Sequence, residues 1–396
     1  MSILADSVAG YLQNASWIRR MFEAGGQLKA RYGADKVYDF SIGNPDLPAP
    51  PAVGEGLCAF AEHAGEPFAF GYMPNSGFPW AREKLAAHLS KEQGVNIGAG
   101  EVLLSCGAAG GFNAFLRAVL NPGEEVLTFA PYFVEYGFYV ANHGGTFRAI
   151  MSHPDTFEPD LAALENAISA KTRVVLYNSP HNPTGVIYSR ETVEALAALL
   201  ERKSREFGKP IWLVADEPYR FLAYDGAEVP SVLGIYPYGV VVSSFSKNMS
   251  LPGERVGYVV VSPMLAEKEE LMAALTLTNR ILGFVNPPVI GQHIMVAALG
   301  SQVDLGVYAA RRKAMAEVLD AGGYEYLMPR GAFYFFPKAP GGDDVRFVNE
   351  LLKERVLAVP GSGFGCPGYF RLAFCVDESV IRNAAEGFAK ARKAFA

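Results

Sequence analysis

Lys247 is the residue of this sequence best placed to bond covalently to a ligand. It follows the apolar run Val240–Val242 across Ser-Ser-Phe-Ser, and a second apolar run, Val256–Val260, comes after Asn-Met-Ser-Leu-Pro-Gly-Glu-Arg. Runs this short and β-branched read as strands buried on both faces. A lysine at the rim of such a sheet loses hydration, which favours its neutral amine, and Arg255 close by adds like charge. A neutral amine attacks carbonyls and forms a Schiff base. A single loop lysine is ordinarily just solvated, so its neighbours must decide.

Three further apolar runs end in complementary groups. Glu101–Ser105 leads into the glycine-rich Cys106–Gly111, where small residues at a helix start let backbone N–H groups approach an anion. Thr172–Tyr177 is followed by Asn178-Ser179-Pro180-His181-Asn182-Pro183-Thr184-Gly185. Ile211–Ala215 is followed by Asp216-Glu217-Pro218-Tyr219, and a carboxylate there is costly to bury unless a cation meets it. Each has a plain alternative: tight packing, a turn, a helix cap. Together they present an anion cradle, an amide, a carboxylate beside a phenol, and an amine. Ligands of open parallel sheets sit beyond the strands' carboxyl ends. Pyridoxal 5′-phosphate uses all four groups, since its aldehyde takes a lysine and its ring nitrogen takes an aspartate.

These runs alternate with helical patterns. Residues 160–170 place Leu161, Leu164 and Ile168 on one face behind a capping Asp160, and residues 190–207 do the same with Val193, Leu196 and Leu200 before Gly208. Glu125–Phe129 adds another strand. The alternation predicts an α/β chain whose mostly parallel sheet carries helices on both faces. Residues 15–32 read as an N-terminal helix and Val37–Ile42 as a strand, followed by the proline-dense connector from Gly43 to Pro51. Beyond residue 289 come a long helix over 290–320, the aromatic strand Gly331–Phe336, a helix near 343–354, strands at 356–359 and 369–374, and a last helix from about 377. This predicts residues 49–288 as a large cofactor-binding domain, with 1–48 and 289–396 forming a smaller α+β domain.

The segments Asn178–Gly185, Asp216–Tyr219, Ser244–Lys247 and Pro252–Tyr258 resemble the class I/II aminotransferases of the aspartate aminotransferase superfamily. So do Phe70–Tyr72, Gly77–Glu83, Pro329–Tyr334, Pro360–Gly365 and Phe370–Leu372, which together cover nearly the whole chain in order. The resemblance implies fold type I of the pyridoxal-phosphate enzymes, with a seven-stranded sheet. It implies that Lys247 forms the Schiff base and moves the proton, that Asp216 pairs with the ring nitrogen, and that Asn182 and Tyr219 bond the ring oxygen. Phe133 takes the ring-stacking place. Gly107, Ala108, Ala109, Ser244 and Arg255 hold the phosphate, and Tyr72 reaches the phosphate in a partner subunit. Arg371 clamps the substrate carboxylate with Gly43 and Asn182, the geometry a guanidinium suits best.

The resemblance further implies a homodimer and the transfer of an α-amino group to a 2-oxo acid such as 2-oxoglutarate, with aspartate-type or broad specificity. A pyridoxal-phosphate lyase, such as a carbon–sulfur β-lyase, is the rival on the same scaffold, and a non-catalytic regulatory domain is a more distant one. Dicarboxylate-specific relatives place an arginine shortly before Asn-Pro-Pro. Here Arg280 precedes Asn286-Pro287-Pro288 one residue out of register, with Ile281 in the expected place. Tyr136, Phe284 and Phe364 read as aromatic lining or plain core.

Length and composition set the outer bounds. With 396 residues the chain exceeds one compact core. A net charge of -6, with cations scattered, argues against nucleic acid or an anionic membrane as partner. No apolar run approaches the ~20 residues of a membrane helix. Cys58, Cys106, Cys366 and Cys375 lack metal-ligand spacing, so no metal is expected, and free thiols suit a cytoplasmic protein.

Overall fold

Strand β1 (Val102–Cys106), β2 (Glu125–Ala130), β3 (Thr146–Met151), β4 (Thr172–Asn178), β5 (Trp212–Asp216), β6 (Gly239–Ser244) and β7 (Val256–Val261) form one sheet. Their spatial order is β1-β7-β6-β5-β4-β2-β3. All pairings are parallel except those of β7, which runs against both its neighbours. Every residue of β5, β6 and β7 is buried, which is why these strands read as unbroken apolar runs. Successive residues face opposite layers: Val174 and Leu176 pack with Phe112, Phe115 and Leu116, whereas Val175 and Tyr177 pack with Val193, Leu196 and Leu200.

This topology collects the chemistry. The carboxyl ends of β1, β4, β5 and β6 share one edge, and the reversed β7 begins there, so Arg255, just before it, reaches the same rim. The edge strand β3 has no counterpart among the sequence-read runs. Thr146, Ala149 and Met151 are exposed, so it carries no continuous apolar signal.

The structure, a computed structural model, describes residues 3–13 and 17–395. The first two positions of the helix expected over 15–32 lie outside the described residues, and the helix runs over Trp17–Tyr32. A further helix, Asp6–Gln13, was not expected. Tyr38–Asp39 pairs in parallel with Val356–Leu357, so the two ends of the chain meet. Phe370–Ala373 lies between Val359–Pro360 and Tyr334–Phe335, antiparallel to both. The stretch at 356–359 is therefore two short strands in two sheets. The long helix over 290–320 is also two, Val289–Ala297 and Leu305–Ala321. Gly300 at φ 88° breaks it, and Asp304 caps the second helix by accepting from the Gly306 amide. The final helix divides likewise into Glu378–Asn383 and Ala385–Phe395.

Candidate active site

A cleft of about 330 Å³ opens along the carboxyl edge of the sheet, with Lys247, Asp216, Arg255 and Arg371 among its walls. Lys247 stands three residues past the end of β6. Its Nζ donates to the Gly43 carbonyl at 2.6 Å and lies 5.7 Å from the centre of the Phe333 ring. Burial pushes its amine down to about 8, and Arg371 and Arg255 push the same way while Cys375 opposes them. Only the neutral amine can attack an aldehyde. Association of pyridoxal phosphate with cofactor-depleted enzyme should therefore accelerate with rising pH, pass its midpoint near pH 8 and level off above it. Stopped-flow absorbance checks this, and a rate still climbing through pH 10 would show that burial does not depress this lysine.

Asp216 ends β5. Tyr136 donates its hydroxyl to Asp216 Oδ2, while Oδ1 is buried with no hydrogen-bond partner. This carboxyl is raised to about 7 in all: burial pushes it up most, the Tyr136 bond pulls it down and Glu217 pushes it up. From Asp216 a chain of amides runs across the site. Asn178 Nδ2 donates to the Asp216 carbonyl at 2.8 Å, the Asn182 amide donates to Asn178 Oδ1 at 2.6 Å, and Arg371 Nη1 donates to Asn182 Oδ1 at 3.1 Å.

Arg371 is 2% exposed. Its Nη2 donates to the Ser41 carbonyl at 2.5 Å, the rings of Tyr334 and Phe364 flank its Cζ at 4.8 Å each, and Nε has no partner. Among the described residues no carboxylate pairs with it, and burial lowers its affinity for its proton. A buried guanidinium compensated only by neutral acceptors and ring faces is costly, and a small carboxylate is its natural counter-ion.

At the other end, the helix Gly107–Val119 starts without a side-chain cap, so its first amides lack side-chain acceptors. Ala108, Ala109 and Ser244 line the cleft there. Ser244 Oγ lies 3.1 Å from Ser246 Oγ. Gly107 has φ +69°, and a Cβ on it would stand 2.7 Å from Arg255 Nη2, so only glycine lets the guanidinium close over the helix start.

The remaining expected residues divide. Phe133 lines the cleft, edge-on to Tyr136 at 5.6 Å. The Tyr219 hydroxyl meets that of Tyr334 at 2.7 Å. Tyr72 is outside the cleft with its side chain 99% exposed. Arg280 and Ile281 are both exposed at the end of the helix Lys268–Ile281, away from the cleft of this chain. Phe364 packs against Arg371, and Phe284 is not in the lining. Sequence reading missed Tyr334 as a site residue and gave Tyr136 no polar partner. Its spacing from Phe133, one helical turn, was the available signal.

Residues 35–388 match the family described as aminotransferase class I and II. An aspartate aminotransferase of Thermotoga maritima is 33% identical over 93% of this chain and 94% of its own. The chain belongs to the class I and II aminotransferases. An aspartate/prephenate aminotransferase of Thermus thermophilus is 31% identical over 91% of this chain and 92% of its own. An aminotransferase structure from Eubacterium rectale superposes with a TM-score of 0.95 at 38% identity, covering 100% of both chains.

This aminotransferase is a pyridoxal-phosphate enzyme, and its residues fit that group. The buried, unpartnered Asp216 Oδ1 suits a protonated ring nitrogen. The uncapped helix start beneath Arg255 suits a phosphate. The lyase alternative is not favoured, because the relatives and structural neighbours are aminotransferases.

Proposed function

We propose that this aminotransferase takes the α-amino group from an amino acid, aspartate-type or across a broad range, and delivers it to a 2-oxo acid such as 2-oxoglutarate. The observation that carries this reading is Arg371, buried with no acidic partner among the described residues, in the same cleft as a lysine whose amine burial pushes down to about 8. The specificity is supported by the Thermotoga and Thermus relatives, named aspartate and aspartate/prephenate aminotransferases, and by a Thermus aspartate aminotransferase structure with maleate.

When bound, the cofactor supplies an aldehyde that bonds to amines and a ring that draws electrons from the substrate's α-carbon. Arg371, with Asn182 and the Gly43 backbone, fixes the substrate carboxylate and so points the α-C–H bond toward Lys247. Lys247 Nζ would accept that proton and carry it between the substrate's α-carbon and the cofactor's aldehyde carbon. Asp216 would hold a proton on the ring nitrogen by a charge-assisted bond. Tyr219 and Asn182 would bond the ring oxygen, with Tyr219 steadied by Tyr334. Phe133 would stack on the ring. Gly107, Ala108, Ala109, Ser244 and Arg255 would hold the phosphate.

Arg371→Lys keeps the charge but loses the fork. It should raise KM for the amino donor about 100-fold with a much smaller change in cofactor affinity, read by steady-state kinetics and absorbance titration. An unchanged KM would remove Arg371 from the substrate site. A panel of donors against 2-oxoglutarate, pyruvate and oxaloacetate tests the reaction itself. Paired amino and keto products are expected, whereas pyruvate and ammonia without an acceptor would mean elimination.

The enzyme is further proposed to work as a homodimer, with Tyr72 reaching the partner's phosphate site. Phe68, Phe70 and Tyr72, at 92%, 59% and 99% exposure, form an apolar stretch that association would cover. Sedimentation should give twice the 42.8 kDa of the chain, and a 42.8 kDa species would contradict this. Residues 49–288 are taken as the cofactor-binding domain and 1–48 with 289–396 as the smaller one, supported by the pairing of Tyr38–Asp39 with Val356–Leu357. Among the described residues no helix is long and apolar enough to cross a membrane. Unpaired cysteines support a cytoplasmic location, which recovery of the chain in a secreted fraction would overturn.

A further inference from the structure

Tyr136 is fully buried on the helix Glu135–Ala141, one turn after Phe133, and its ring packs against Phe112 and Phe133. A phenol with that much apolar surface could be core and nothing more. Its hydroxyl shows otherwise, because it ends on Asp216 Oδ2. The other oxygen, Oδ1, is enclosed and unpartnered. The remaining ionisable side chains that act on this carboxylate are Glu217, Tyr139 and Tyr219, and none of them is bonded to either oxygen.

A carboxylate with one fixed donor is oriented; one with none can rotate in its pocket or swap oxygens. Tyr136 has a single proton to give, and giving it to Oδ2 leaves Oδ1 as the acceptor for whatever enters the cleft. The bond also favours the charged form of a carboxyl that burial would otherwise keep neutral. A neutral carboxyl could not pair with a cationic ring nitrogen.

We propose that Tyr136 is the positioning residue of the cofactor's ring-nitrogen site: it holds Asp216 by Oδ2 so that Oδ1 alone meets the ring nitrogen. This rests on the reading of the cleft as the pyridoxal-phosphate site. The residue never touches the cofactor; it acts through Asp216.

The test compares two ligands on cofactor-depleted enzyme, pyridoxal phosphate and its 1-deaza analogue, in which a ring C–H replaces the nitrogen. Absorbance titration gives Kd for each with wild type and Tyr136→Phe, and thermal melting verifies that the variant is folded. Tyr136→Phe should weaken pyridoxal phosphate about tenfold, the scale of a lost hydrogen bond to a charged group, and leave the deaza analogue within twofold. In a background of Asp216→Asn, which removes the charge, adding Tyr136→Phe should cost pyridoxal phosphate less than twofold more. An equal loss for both ligands would make Tyr136 a packing residue and overturn the proposal, and so would no loss for either. If wild type failed to bind pyridoxal phosphate at all, the underlying reading of the cleft would fall instead. If Tyr136→Phe does not fold, Tyr136→His, which keeps an N–H donor, should retain the wild-type preference for pyridoxal phosphate over the deaza analogue. Loss of that preference would overturn the proposal.

Discussion

Lys247→Ala is expected to lower turnover by about four orders of magnitude and to remove the lysine-dependent visible absorption of the bound cofactor. The size of the effect follows from the two tasks proposed for one amine: bonding the cofactor's aldehyde and moving the proton of the substrate's α-carbon. Among the described residues lining the cleft no other lysine stands ready to substitute. Cofactor should still bind, since Ser244, Arg255 and the start of the helix Gly107–Val119 remain. Steady-state assay with spectral titration measures both halves. Turnover within tenfold of wild type would remove Lys247 from the chemistry.

Asp216→Asn is expected to lower kcat by roughly 100- to 1,000-fold and to weaken the cofactor by about tenfold or more. The substitution preserves volume and can still accept from Tyr136, so the change is mainly one of charge. Without a carboxylate at Oδ1 the ring nitrogen has no anion to hold its proton, and the ring draws electrons less strongly. Even with the Tyr136 bond in place, burial and Glu217 hold this carboxyl up at about 7, so its full ionisation in the working enzyme depends on the cation it meets. Single-turnover kinetics with α-deuterated donor separate the proton-transfer step from binding. An unchanged proton-transfer rate would contradict the role.

Much of this site was legible because strand ends are legible. Apolar runs mark β1, β4, β5 and β6, and in a parallel sheet the residues that follow them share an edge, so Asn182, Asp216 and Lys247 could be brought together without coordinates. Arg371 was not reachable that way. It sits on a short strand of the C-terminal portion, and only the resemblance to a known family tied it to Asn182 and Gly43; its bond to the Ser41 carbonyl was not foreseen at all. Tyr136 and Tyr334 were hidden for a different reason. Each looks like core by composition, and what distinguishes them is where one hydroxyl points, on Asp216 and on Tyr219.

The fold shows the same division. Strand β3 escaped notice because one side of an edge strand is solvated and gives no continuous apolar run. The break between Ala297 and Leu305 was missed because apolar spacing resumes on both sides of Gly300 and Asp304. There, local backbone geometry decided, not hydrophobic periodicity.

Reduction of the cofactor-loaded enzyme with borohydride, followed by peptide mass mapping, addresses the covalent step without relying on any variant. A pyridoxyl phosphate adduct on the peptide carrying Lys247, and on no other lysine, is the expected result. An unmodified Lys247 in enzyme that is fully active would contradict the whole account of the cleft.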